Sequence, residues 1–120
     1  MNKMQTLFAF WYQFGWNAYN EASVPDDAQL PYITYEASDD NFDHPVAHTV
    51  TLWDRSTSWE NIESMKRDIE AVIGRGGTIV TYDDGAMWIQ RGTPFAQPMP
   101  DSESDEIRRI ILNIVTEYID

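Results

Sequence analysis

The amino-acid sequence predicts an α+β fold, with two helices packed on one face of a mainly antiparallel sheet of about four to five strands. Three observations predict it. Residues 58–73 carry a helical apolar stripe behind a Thr-x-x-Glu start signal. Residues 46–55 and 107–119 are runs of β-branched and aromatic residues. Two further β-rich segments flank an Asp-Asp-Gly turn at 83–85. The implied order is α-β-β-α-β-β-β, the natural α+β solution for burying one face of a sheet.

The elements follow in chain order. Residues 4–14 read as a first helix, because Met4, Leu7, Phe8, Trp11 and Phe14 recur at helical spacing and Gly15 stands where the helix would stop. This aromatic face is expected to point into the core. From Trp16 to Leu30 periodicity fades, and Asn17, Asn20, Pro25, Asp26 and Asp27 mark turns. Residues 31–36, Pro-Tyr-Ile-Thr-Tyr-Glu, read as a strand, with Pro31 at its first position, where a missing N–H does least harm. Residues 37–45 form a polar, acidic loop. Val46 to Arg55 is a second strand with no strongly polar face, so it is expected to be central and covered on both sides.

The helix at 58–73 is expected to begin with a capping box between Thr57 and Glu60. Ile62, Met65, Ile69, Val72 and Ile73 would face the core, and Gly74, Gly76 and Gly77 would end it. Residues 78–82 and 86–91 form a hairpin in which Gly85 is expected to supply a positive φ. Residues 94–106, with three prolines and four acids, read as a crossing loop. The tail from Ile107 to Ile119 alternates as a strand does, and its β-branched composition favours that reading over a helix.

The chain has 120 residues and a formal net charge of −12, from 20 Asp+Glu against 8 Lys+Arg. At roughly 100–200 residues per domain, that length implies one domain. The absence of cysteine excludes disulfides, thiolate metal sites and a Cys nucleophile. A hydrophobic share of 42% is too high for intrinsic disorder. No apolar run approaches the roughly 18 residues of a membrane span, and the broken apolar stretch after Met1-Asn2-Lys3-Met4 is no secretory signal. A bacterial or host cytoplasm is the expected place of synthesis. Excess acid disfavours partners with phosphate backbones or anionic membrane surfaces.

Catalytic signatures are missing. No serine sits in a G-x-S-x-G elbow, and Gly74-Arg75-Gly76-Gly77 lacks the Lys-Ser/Thr step of a phosphate loop and follows a helix. His44 beside Asp39, Asp40 and Asp43 could in principle ligate a hard cation, but the spacing matches no calcium loop. His48 falls inside a strand, where a structural role is expected. The basic residues are scattered, with only Lys66-Arg67 and Arg108-Arg109 adjacent, and Trp53, Trp59 and Trp88 are expected in the core rather than stacked on bases. Five Trp, six Tyr and five Phe are many for this length, and Phe42 and Phe95 fall where no core is expected. Aromatics on loops are characteristic of protein interfaces. Composition therefore predicts an assembly component, not an enzyme, with no cofactor.

Several stretches carry a family resemblance. These are Leu30 to Glu36 with the acidic loop after it, the strand ending Leu52-Trp53-Asp54-Arg55-Ser56-Thr57-Ser58, the segment Gly85 to Phe95, and Ile110-Ile111-Leu112-Asn113-Ile114. Together they resemble the tail terminator proteins (tail completion, minor tail or minor capsid proteins) of long-tailed bacteriophages and Gram-positive prophages. The resemblance spans nearly the whole chain and rests on structural motifs. It implies a subunit of a ring, hexameric in that family, at the head–tail junction of a virion. The implied partners are other copies of itself, a tail tube protein and a head-side connector protein, with phage DNA passing through the lumen and no membrane. It also implies that the hairpin loop between the first two strands reaches a neighbouring subunit, which makes Asp39, Asp40, Asn41, Phe42 and Asp43 the candidate interface residues. A carboxylate-lined lumen would let DNA slide without sticking. A rival explanation of the acidity is that it keeps the free subunit soluble before assembly, and the alternatives to the ring protein are an acidic DNA-mimicking inhibitor of a host nuclease or another head or tail morphogenesis protein.

Overall fold

The structure is a computed structural model describing residues 1–36, 45–100 and 106–119. Its elements are helix α1 (Lys3–Tyr12), strand β1 (Asn17–Asn20), a short 3-10 turn (Glu21–Ser23), β2 (Tyr32–Tyr35), β3 (Val46–Arg55), helix α2 (Glu60–Ile73), β4 (Thr78–Tyr82), β5 (Gly85–Pro100) and β6 (Ile107–Ile119). The strands form one six-stranded sheet in the order β1-β2-β3-β6-β5-β4. Every pairing is antiparallel except β1 with β2. The expected α+β class holds, but the sheet is mixed, has one strand more than expected, and its order gains β1 between α1 and β2.

The added strand was hidden by its composition. Asn17-Ala18-Tyr19-Asn20 contains turn-forming asparagines and no β-branched residue, so propensity argues against it. Tertiary context decides instead: Ala18 is buried opposite Ile33. Asn20 then ends the strand by accepting the Ala22 N–H on its side-chain oxygen at 3.1 Å.

The second correction is β5. The expected crossing loop at 94–106 is largely strand, for β5 runs on to Pro100. The interruption is a register shift between Arg91 and Ala96. There Gly92 lies so close to β6 that a Cβ would sit 3.0 Å from the Asn113 carbonyl oxygen. The Asn113 side-chain amide donates to the Pro94 carbonyl at 2.7 Å and clips the shifted segment back to its neighbour. Prolines are tolerated because β4 pairs only with Gly85–Ile89, which leaves the second half of β5 a sheet edge, paired with β6 on one side and with no ladder to break on the other.

Both helices contribute to a single buried cluster on one face of the sheet. Leu7, Phe10 and Trp11 of α1 join Ile62, Met65, Ile69 and Ile73 of α2 over Ile33, Val50, Leu52, Met87, Ile89, Ile110, Leu112 and Ile114. Helix α1 touches both β1 and β4, the two edge strands, so the sheet curls around it. The other face of the sheet carries neither helix. β3 is central in the sheet, as expected, but only its helix side is fully buried, through Val50, Leu52 and Asp54. The expectation of cover on both sides fails because both helices chose the same face. Phe95 is not a loop aromatic but packs against the core, and the tail is the long strand it was expected to be.

Local signals differ in three details. Helix α2 starts without a Thr57–Glu60 box; Ser58 Oγ accepts the Glu60 N–H at 3.1 Å, while Trp59 stands at the cap. A reciprocal box does occur at α1, where Asn2 Oδ1 accepts the Gln5 N–H at 2.8 Å and Gln5 Oε1 accepts the Asn2 N–H at 3.0 Å. The β4–β5 turn closes without a positive φ at Gly85; positive φ occurs at Gly15, Gly74 and Gly77.

Candidate interaction surface

The sequence-predicted interface residues Asp39, Asp40, Asn41, Phe42 and Asp43 lie outside the described residues, as does His44. Among the described residues no group of three or more His, Cys, Asp or Glu could hold a metal ion, and no helix is long and apolar enough to cross a membrane.

Helix α1 presents the clearest apolar surface. Its sequence is apolar nearly all round, so helical spacing alone could not select the buried face. The core takes Leu7, Phe10 and Trp11, which stand at i, i+3 and i+4. Met4 and Phe8, expected inside, are 46% and 42% exposed, and Tyr12 is 52% exposed. These three residues stand one helical turn apart. Phe8 and Tyr12 stack with their ring centroids 5.3 Å apart. A groove of about 540 Å³ beside them is walled by Met1, Met4, Phe8, Asn20 and Tyr35. Val72 of α2, also expected inside, is exposed too. The first 20 residues contain no Asp or Glu, so the helix itself brings no acid to this surface, and Asp83 reaches only its edge, where it pairs with the Met1 amino group at 2.7 Å.

The helix-free face of the sheet carries a second surface. Register sets Tyr32, Trp53, Arg109 and Met99 side by side across β2, β3, β6 and β5, and alternation puts Tyr19 of β1, whose register partner is Thr34, on the same face diagonal to Tyr32. Tyr19 and Tyr32 meet edge to face at 5.6 Å, and Tyr32 and Trp53 lie 6.3 Å apart. The Arg109 guanidinium sits over the Trp53 ring at 5.3 Å. The Trp53 indole N–H donates to Thr34 Oγ1 at 3.0 Å, which fixes the ring. Trp53 therefore belongs to the outer face and not to the core. Trp88 also stands outside the core and donates its indole N–H to the Gly76 carbonyl at 2.9 Å. Trp59 does pack on the core, beneath the Arg108 guanidinium. Alternation divides the adjacent arginines: Arg108 serves the helix side and Arg109 the open side.

A third feature lies at the far end of the sheet. Glu36, His48, Thr49, Gly92 and Asn113 line a depression of about 390 Å³ where β5 shifts register. Glu36 accepts the Thr49 N–H at 3.2 Å and the Thr49 hydroxyl. His48 Nε2 lies 2.8 Å from Thr116 Oγ1, and its Nδ1 is buried without a partner. Burial pulls the His48 pKa below its ordinary value, against a smaller opposing effect of the Glu36 charge. His48, expected from its place inside a strand to be structural or face-lining, lines this depression.

No protein-family profile matches the chain, and no curated protein matches it. Among solved structures, it is similar to a chain in the virion of a native gene transfer agent particle. The TM-score is 0.61 at 15% identity, and the match covers 98% of this chain and 97% of that one. At that identity the likeness shows a shared fold.

Proposed function

We propose that this protein is a structural, non-enzymatic subunit of a phage-like virion, most specifically a tail terminator: a ring, hexameric in that family, at the head–tail junction. The observation that carries the reading is the end-to-end fold match, with almost no residue of either chain left over, to a component of a gene transfer agent virion. The tail-terminator resemblance of the sequence points the same way. The physical surface agrees, since a chain with a net charge of −12 still exposes a carboxylate-free apolar helix face. In this reading the subunits cap the tail tube and join it to the head-side connector. Phage DNA passes the acidic lumen without tight binding, because carboxylates repel its phosphates.

Deleting the gene from a particle-producing strain tests the reading. The expected result is tailless heads or tails of uncontrolled length, seen by electron microscopy, with restoration by the gene in trans. Normal particles from the deletion strain overturn it. The net charge also favours the reading as a DNA mimic, which predicts instead that the purified chain inhibits a host nuclease at stoichiometric concentration.

A further inference from the structure

We propose that the outer-face stripe of Tyr19, Tyr32, Trp53, Arg109 and Met99 is the receiving half of a head-to-tail contact between copies of this chain. Its guanidinium takes a carboxylate from the neighbouring copy. The proposal rests on the virion-subunit reading and adds to it the surface through which copies join.

Three observations carry it. The first is chemical type. Trp, Tyr and Arg are the residues in which binding energy concentrates at protein interfaces, and here four of them, extended by Met99, form a row about 19 Å long across five strands. Thr34, Thr51, Ile111 and Gln97, the next same-face residues on one side of the row, are uncharged, and on the other side Arg55, the next same-face residue after Trp53, is paired with Glu106 at 3.6 Å. The second is an unmet charge. Arg109 forms no ion pair with any carboxylate of the described residues, and its Nε is buried without a hydrogen-bond partner. That is unexpected in a chain with 20 carboxylates and 8 Lys+Arg, where most cations could find an acid. The ring beneath it holds the fork in place, which lowers the entropy lost when a carboxylate arrives.

The third observation identifies the occupant. A second copy is itself rich in carboxylates, so the charge complements. Two stripes facing one another would give Arg109 no carboxylate, because the row itself contains none. The donor must then be a different, acidic surface of the neighbour. Such a heterologous contact propagates head to tail, and it closes into a ring where the rotation permits.

The test uses the full chain in sedimentation velocity and native mass spectrometry over a concentration series. Wild type is expected to form closed oligomers, weakened by added salt. Arg109→Glu is expected to associate roughly thirty-fold more weakly, the loss of one dominant interface residue, while keeping its thermal transition. Because its acidic surface is intact, Arg109→Glu should also cap wild-type assemblies when mixed in below stoichiometry. Met99→Glu, on the half-exposed end of the row, should weaken association too, and it serves if Arg109→Glu does not fold. A wild type that stays monomeric up to its solubility limit overturns the proposal. Folded variants that associate like wild type also overturn it, as does a two-fold dimer through the stripe. None of these results touches the virion reading, which stands or falls with the gene deletion.

Discussion

Replacing Gly77 with alanine probes how tightly the turn between α2 and β4 is built. Gly77 has φ +85°, in the left-handed region, where an L side chain costs about 1–2 kcal/mol. A Cβ there would also lie 2.8 Å from the Ile89 carbonyl oxygen and collide with the Trp88 indole. The carbonyl belongs to the β4–β5 ladder and cannot retreat cheaply. The indole can move only by giving up its hydrogen bond to Gly76, worth about 0.5–1.5 kcal/mol. The expected loss is therefore about 2–4 kcal/mol. At about 4 °C per kcal/mol for a chain of this size, Tm should fall by roughly 8–16 °C. Gly76→Ala is the internal control. Gly76 has no positive φ and nothing within 4 Å of the added methyl, so neither cost applies, and Tm should stay within roughly 3 °C of wild type. Scanning calorimetry of the two variants beside wild type reads the difference directly. Equal losses would show that Trp88 does not seat on the turn and that the steric argument is wrong.

Ile69→Asp puts a charge at a fully buried site of the α2 stripe and should abolish the cooperative thermal transition; a folded variant would refute the packing of α2. His48 resists protonation in the fold while the unfolded chain accepts a proton near 6.5, so the stability due to its neutral ring is full above that pH. It should decline as pH falls from there towards the depressed folded value. His48→Gln should flatten that part of the stability–pH curve measured by urea denaturation, and an unchanged slope would assign the dependence elsewhere. Phe8→Gln should reduce the fluorescence of a bound hydrophobic dye while moving Tm by no more than roughly 3 °C, because Phe8 stands on the open face of α1. A large drop in Tm would place Phe8 in the core.

What could be read in the sequence depended on whether a local pattern had one physical interpretation. α2 did, because its amphipathic stripe fits only a helix, whereas β6 could also be read as a helix until its β-branched composition favoured the strand. α1 was legible as a helix, but its buried face was not: with Met4, Leu7, Phe8, Phe10, Trp11 and Tyr12 all apolar, only contact with β1 and β4 selects it. β1 and the second half of β5 run against propensity. One is held by Ala18 in the core, the other by the clip from Asn113. Arg108-Arg109 was visible only as an adjacent basic pair, yet alternation along β6 sends the two to opposite faces, and only register sets Arg109 above Trp53. The signal that could have found it was available: Trp53 and Arg109 occupy outward positions of two long strands that pair.

The order of the sheet has a consequence for synthesis. β6 lies between β3 and β5, and its pairing with β3 joins Val46 to Thr116. The ribosome makes β6 after the other five strands, so the nascent chain holds β3 and β5 apart, with Val50, Leu52 and Ile89 unsealed, until that strand emerges. Such long-range closure is slow and leaves sticky intermediates in the meantime. It also works as a check on completeness. A chain cut short before Ile107 lacks the strand that joins the two halves of the sheet, so a truncated product cannot complete the core and is left for proteolysis.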